Sequence, residues 1–149
     1  DPIPKSDVGG YRQIHDAINH PVAQHLASPS AVMAAIKDDL VDCFNLGGSL
    51  FGFCRNASIA ASAEMNCWHG SGNDLGIIDT SYIHAAAATE NCIMASDFVG
   101  SWTREDDMIV EPIEFCEGYV NVPQLPGLGC ELDEYSLARY AQSYEKIEN

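Results

Sequence analysis

Polar side chains able to bind ligands or move protons stand at or near the ends of four short apolar runs. The runs occupy residues 21–24, 41–46, 66–69 and 92–95, and their polar companions are Gln24, His25, Asn45, His69 and Asp97. Histidine has an unperturbed pKa of about 6.5, so it can exchange protons at neutral pH. Amide and carboxylate groups can hydrogen-bond a polar ligand. Residues of these types could bind a ligand or transfer a proton if the fold brings them together.

His69 is the strongest candidate for proton transfer. Gly70 and Gly72 follow it, and glycines allow the backbone of a loop to approach a ligand closely. The alternative is a loop histidine without a chemical role.

The gaps between the apolar runs have helical spacing and would position these side chains. Ser28 can cap a helix that has Pro29 in its first turn. Further helices are predicted over residues 7–18, 49–65 and 75–89, the last with His84 packed or hydrogen-bonded on its apolar face. The order α-β-α-β-α-β-α-β, with strands apolar on both faces, predicts parallel strands joined by helical crossovers.

The pattern changes after residue 107, which divides the chain into βα units at 1–107 and a C-terminal part at 108–149. Residues 108–122 alternate in polarity around Glu117-Gly118, which predicts a β-hairpin. A loop rich in Pro and Gly follows, and Asp133 can cap a short helix over residues 134–141. The polar residues 144–149 are expected to fray.

The charge balance excludes some classes of partner. Seven Lys and Arg stand against 22 Asp and Glu, for a net charge of −15, which argues against nucleic acid or an anionic membrane as a partner. No apolar stretch reaches 18 residues, and no secretion leader is visible. None of the six cysteines forms a CxxC pair, so we expect reduced thiols and a cytoplasmic location.

Three segments carry a resemblance to a known family. Residues 122–134, VPQLPGLGCELDE, resemble the stretch that ends the barrel domain of mandelate racemase and muconate lactonizing enzyme relatives in the enolase superfamily. Residues 1–4 resemble the end of the fourth barrel strand. The segment from His69-Gly70 to residues 84–87 resembles the seventh strand and the helix after it.

This resemblance implies an α/β fold that is the second half of a modified (β/α) TIM-like barrel, with a C-terminal β-hairpin and a short helix. The strands would be the fifth to the eighth. The first half of the barrel and a capping domain would lie in sequence that precedes this chain. The family's Mg²⁺ is held by carboxylates at the ends of strands three to five, and Gln24 stands where an acidic ligand is usual, with most ligands outside this chain. Gln24 lacks the charge that Mg²⁺ prefers, and His25 could compensate or line the pocket.

The resemblance also suggests roles for two further residues. His69 corresponds to a general acid or base of racemase-type members. Asp42 fits two alignments: anchored on Gly47-Gly48 it supports a catalytic histidine, and anchored on the Asp-x-x-Asn pattern it is a structural residue at a strand start. The second alignment deletes the segment that carries a base, and it directs Asn45 toward the site.

Two functions remain open on these grounds. The first is the C-terminal segment of a racemase, dehydratase or cycloisomerase that removes a proton next to a carboxylate, with Asn45, His25 and Asp97 binding the acid. Such an enzyme is expected to be a homo-oligomer, and this segment would not be competent alone. The second is a catalytically degenerate barrel subunit with a structural or interaction role.

Overall fold

Three short parallel strands form the central sheet. The computed structural model describes residues 1–143, and its strands are β1 (Ala23–Leu26), β2 (Cys43–Leu46) and β3 (Asn66–His69), in that order across the sheet. Ala23 is paired with Cys43, and Cys43 with Asn66. The first three apolar runs therefore form the predicted parallel strands, although β1 begins and ends two residues later than expected.

Four helices alternate with these strands: α1 (Val8–Ala17), α2 (Pro29–Asp38), α3 (Leu50–Ser62) and α4 (Gly76–Ala87). Side chains that accept hydrogen bonds from first-turn amides explain where three of them begin. Asp7 accepts from Gly10 N, Ser28 from Ala31 N, and Ser49 from Gly52 N. This order confirms the α/β alternation predicted from the sequence.

The helices pack against the sheet and bury an apolar core. Phe44 and Leu46 of β2 are fully buried, together with Val32 of α2 and Phe53 of α3. A small sheet covered by helices on one face needs such a layer, because the apolar side chains of each element must be removed from water.

The fourth predicted strand, residues 92–95, is reduced to a single bridge. Cys92 forms a parallel bridge with Cys67, and Cys67 N donates to Asn91 O at 2.9 Å. Cys92 N donates instead to Thr89 O in a turn, which removes it from a longer strand ladder.

The C-terminal part contains a much shorter hairpin than expected. Strands β4 (Phe115–Cys116) and β5 (Tyr119–Val120) pair around Glu117-Gly118, whose φ values of 51° and 83° suit a tight hairpin turn. Ile109, expected in the hairpin, instead forms an antiparallel bridge with Leu132. A short helix that the sequence did not indicate, α5 (Gly100–Thr103), precedes this part.

The tail packs back on the βα units. Asp133 caps the last helix, α6 (Glu134–Tyr140), close to its predicted bounds. Nε2 of His84 on α4 lies 2.9 Å from Leu128 O, which confirms that this histidine is hydrogen-bonded. The division at residue 107 remains a prediction, and the expected fraying of residues 144–149 lies outside the described part. No helix within residues 1–143 is long and apolar enough to cross a bilayer.

A buried ion pair joins α4 to the segment after α5. Nη2 of Arg104 lies 2.6 Å from Oδ2 of Asp79, and the two side chains are only 12% and 3% exposed. Arg104 also contacts the Asp107 carboxylate and the Asp74 carbonyl. Burial raises the pKa of Asp79, and the hydrogen bond from Arg104 opposes that shift. Asp79 is therefore a carboxylate whose charge depends on its partner.

Removing Arg104 should leave that charge buried and unpaired. We expect Arg104→Met to lower the free energy of unfolding by about 3–5 kcal/mol, measured by urea denaturation at pH 7. Arg104→Met combined with Asp79→Asn should be more stable than Arg104→Met alone. The matched control is Arg139→Met, since Arg139 is half-exposed and pairs with the exposed Glu105. Equal losses in the two arginine variants would contradict this account.

Candidate active site at the carboxyl ends of the strands

The strand register divides the sheet residues between two faces. Side chains alternate along a strand, so Leu26, Leu46 and His69, which are aligned across the sheet, share one face. This face contacts the helices, and we term it the helix face. The residues that alternate with them form the open face, and none of these belongs to the core cluster found in the described chain.

A row of three candidate side chains crosses the open face. His25 is aligned with Asn45, and Asn45 with Trp68. Neighbouring strands lie about 4.8 Å apart, so these groups can contact one ligand together. His25 is exposed, whereas Asn45 and Trp68 are half-buried.

Two glycines leave room for the polar ends of the Asn45 and His25 side chains. Gly47 N donates to Leu26 O and Gly70 N to Leu46 O, so both continue the strand ladder by one residue. A Cβ at Gly70 would collide with Oδ1 of Asn45, and a Cβ at Gly47 would lie 3.0 Å from Nε2 of His25. The polar ends of both side chains thus lie against bare backbone.

The Asn45 amide has unused hydrogen-bonding capacity. Its Oδ1 is shielded from solvent and has no hydrogen-bond partner. A buried polar atom without a partner is unfavourable by about 1–3 kcal/mol. A ligand that offers a complementary group would remove that penalty.

Asp1 lies at the outer side of the row. Its Oδ1 accepts a hydrogen bond from His25 N at 3.1 Å, and its Oδ2 lies 3.5 Å from Nζ of Lys5. The carboxylate is thus held beside β1.

His69 lies on the helix face, away from the row. Its ring stacks on Tyr82 with centroids 3.9 Å apart and contacts Phe53 at 4.4 Å. It is fully buried, and neither ring nitrogen has a hydrogen-bond partner. Desolvation lowers the pKa of His69 to about 4. This placement argues against the predicted proton transfer at His69, because the ring is neutral and faces the helices.

Gln24 also lies on the helix face. It is 3% exposed and is aligned with Phe44, a member of the core. Its side chain therefore does not reach the barrel mouth, which argues against the predicted metal-ligand role. At this strand His25 is the residue that projects there.

Asp42 lies at the amino end of β2, whereas the candidate site is at the carboxyl end. Its Oδ2 accepts from Val22 N at 2.7 Å, and its Oδ1 lies 3.5 Å from Nε2 of His15. This geometry favours the alignment in which Asp42 is a structural residue at the strand start. Asp42 contacts His15 and not His25, so it does not orient the histidine of the candidate row.

Asp97 fixes the loop that follows β3. Its Oδ1 accepts from Ser71 N at 3.0 Å, and its carbonyl oxygen accepts from the Ser71 hydroxyl. The carboxylate is thus engaged within the protein, and its predicted contact with substrate remains a prediction.

Consecutive parallel strands whose crossover helices all lie on one face are typical of part of a barrel of the (β/α) class. The family described as enolase C-terminal domain-like matches residues 1–136. The chain belongs to this family.

Individual relatives agree with that assignment. The chain is 22% identical to a chloromuconate cycloisomerase from Cupriavidus necator over 95% of its own length and 40% of the relative's. A muconate cycloisomerase from Rhodococcus opacus is 34% identical over 51% of this chain and 20% of that protein. The chain thus spans about two fifths of the length of the relatives that cover it best.

Solved structures show the same fold. Muconate cycloisomerase from Pseudomonas fluorescens superposes with a TM-score of 0.88 and 21% identity, covering 95% of this chain and 41% of that one. The L-Ala-D/L-Glu epimerase from Bacillus subtilis gives a TM-score of 0.79 at 22% identity, covering 87% and 37%. The predicted half-barrel is confirmed.

Family membership suggests metal dependence in general, but the residues described here do not build a metal site. No group of three or more His, Cys, Asp or Glu side chains within residues 1–143 is arranged to hold an ion. Mg²⁺ prefers charged oxygen ligands. Gln24 faces the helices, and Asp1 is engaged by His25 N and Lys5.

The sequence analysis did not identify Trp68. It also did not show that Gly47 and Gly70 leave room for the ends of the His25 and Asn45 side chains. The alternation of residues 66–69 contained a signal for Trp68. Had Cys67 been placed on the core side, Trp68 would have fallen on the opposite face and His69 on the core side.

The buried His69 predicts a pH-dependent stability. The unfolded histidine binds a proton below its ordinary pKa of 6.5, and the folded one only below about 4. Stability should therefore fall as the pH drops through this window, by at most about 3 kcal/mol, and this group should add nothing further below it. Urea denaturation of the wild type and of His69→Met from pH 7 to pH 4 measures the contribution. His20→Gln, at an exposed histidine, is the control; an unchanged pH dependence in His69→Met would refute the assignment.

Proposed function

We propose that this chain supplies the C-terminal half of the active site of an enolase-superfamily isomerase that acts on a small carboxylic acid. The open-face row of His25, Asn45 and Trp68 is the observation that carries the proposal. These residues come from three consecutive strands and lie at the end where barrel enzymes place their chemistry. The relatives named cycloisomerase and epimerase support the reaction class.

His25 moves the proton in this proposal. It is the exposed imidazole of the row, and imidazole exchanges protons near neutral pH. Its Nε2 lies beside the Gly47 backbone, where any larger residue would crowd it. Its main-chain amide is held by Asp1, which fixes the position of the residue.

Asn45 and Trp68 hold the acid. The Asn45 amide offers a donor and an acceptor, and its Oδ1 has no hydrogen-bond partner within the described residues. Trp68 forms the apolar wall beside it. The remaining half of the site, including any metal ligands, comes from sequence outside this chain, and the assembled enzyme is a homo-oligomer in the cytoplasm.

A degenerate barrel subunit is the second candidate, and the connection after β2 favours it. That strand ends at Leu46, and Ser49 already caps α3, so only Gly47 and Gly48 intervene. Neither glycine offers an acid or base. In that case the row on the open face would bind ligand without turning it over, or would only contact another protein.

Replacing His25 separates the two candidates. In the full-length protein, we expect His25→Gln to slow exchange of the proton next to the carboxylate at least a hundredfold, measured by NMR in D₂O with a panel of small carboxylic acids. His20→Gln is the matched control, because His20 is an exposed histidine outside the row. Wild-type exchange in His25→Gln would exclude His25 as the proton-transfer group. An absence of exchange in the wild type would favour the degenerate subunit.

Gly70→Ala tests the Asn45 amide. The added Cβ would displace the Asn45 carboxamide, which is the mobile end of a side chain, so stability should change little. Acid binding should weaken about tenfold or more, because the displaced amide loses its hydrogen bond to the ligand. Isothermal titration measures the loss. The control is Gly9→Ala, where the nearest atom to a Cβ is 3.8 Å away; equal affinities in both variants would remove Asn45 from the site.

A further inference from the structure

Cys67 and Cys92 form a pair outside the proposed site. The parallel bridge between them places their backbones at the spacing of adjacent strands, about 4.8 Å. A disulfide accommodates Cα separations of about 4.4–6.8 Å. The two backbones therefore already lie within disulfide range.

The two thiols lie on the same side of the sheet and differ in exposure. Cys67 is fully buried on the helix face, where it belongs to the apolar core. Cys92 is partly buried and lines an open groove of about 560 Å³. Ile83 and Ala87 of α4, Met94 and Phe98 also line this groove. A small solute can thus reach Cys92 but not Cys67.

The environment makes Cys92 the more reactive of the two. The neighbouring Cys67 thiol lowers the pKa of Cys92 against the opposing effect of burial, and the His69 main chain adds to the lowering. The same interaction raises the pKa of Cys67. Access through the groove and a lowered pKa both favour Cys92 as the thiol that reacts first.

We infer that Cys67 and Cys92 are an oxidation site that closes to a disulfide when a peroxide reaches the groove. The Cys92 thiolate attacks one oxygen of hydrogen peroxide, which breaks the O–O bond, forms the sulfenic acid and releases hydroxide. The Cys67 thiol then attacks the sulfenic sulfur, the S–O bond breaks, and water leaves. The two thiols lose two electrons, hydrogen peroxide gains them, and two waters form in total. This inference does not depend on the proposed acid chemistry.

The disulfide would fasten β3 to the segment after α4. That segment has a single backbone bridge to the sheet, at Cys92. A covalent link at the same point would prevent its detachment. The alternative is that both cysteines have only a packing role, as small apolar side chains.

Peptide mapping after peroxide treatment tests the pair. Cleavage after glutamate releases residues 65–90, with Cys67 as their one cysteine, and residues 91–105, with Cys92 as theirs. After brief treatment of the purified protein with a small excess of hydrogen peroxide at pH 7, we expect these two peptides to be recovered linked, with the loss of two hydrogens. The link should form at least tenfold faster than any modification of the exposed Cys116.

Three variants complete the experiment. Cys116→Ser should leave the rate of linkage unchanged, and Cys92→Ser should abolish the link. Cys67→Ser should leave a sulfenic acid at Cys92 that a carbon nucleophile such as dimedone traps. Absence of the linked peptides, oxidation of Cys116 before Cys92, or no trapping in Cys67→Ser would each overturn the inference.

Discussion

The in-register pairing of three parallel strands decides which side chains of this chain can act together. Because side chains alternate along each strand, one register sends Leu26, Leu46 and His69 to the helices and leaves His25, Asn45 and Trp68 on the open face. A slip of one residue in β3 would turn Trp68 toward the helices and His69 toward the open face. The apolar core specifies the register, since Phe44 and Cys67 must both be buried. Burial of the core and assembly of the candidate site are thus consequences of the same pairing.

The order of elements could be predicted because its signals are local. Ser28 and Pro29 mark the start of a helix, and the Gly and Pro residues before Asp133 mark a loop. Pairing partners could not be predicted, since they depend on distant segments. Ile109 alternates with its neighbours as a hairpin strand would, yet it pairs with Leu132. The apolar run at residues 92–95 has the composition of a strand, but Cys92 N is used in a turn.

The sequence places most candidate side chains near the carboxyl ends of strands, but it does not assign them to a face of the sheet. His25 and Asn45 lie on the open face, whereas His69 and Gln24 lie under the helices. Strands that are apolar on both faces give little alternation from which to assign a face, and in residues 66–69 only the apolar Cys67 indicates the core side. A polar residue in such a strand is then ambiguous between a ligand contact and a buried packing position. His69 illustrates the second case, with two aromatic rings in place of hydrogen-bond partners.

The parallel arrangement also affects how the chain reaches this structure. Ala23 meets Cys43, and Cys43 meets Asn66, only when the chain between them closes into a crossover. Each ladder therefore requires a long loop to close before its first hydrogen bond forms, which makes pairing slow compared with a hairpin. During that interval the edges of β2 are unpaired and its apolar residues are exposed, so the collapsed but unpaired chain is the species most prone to self-association.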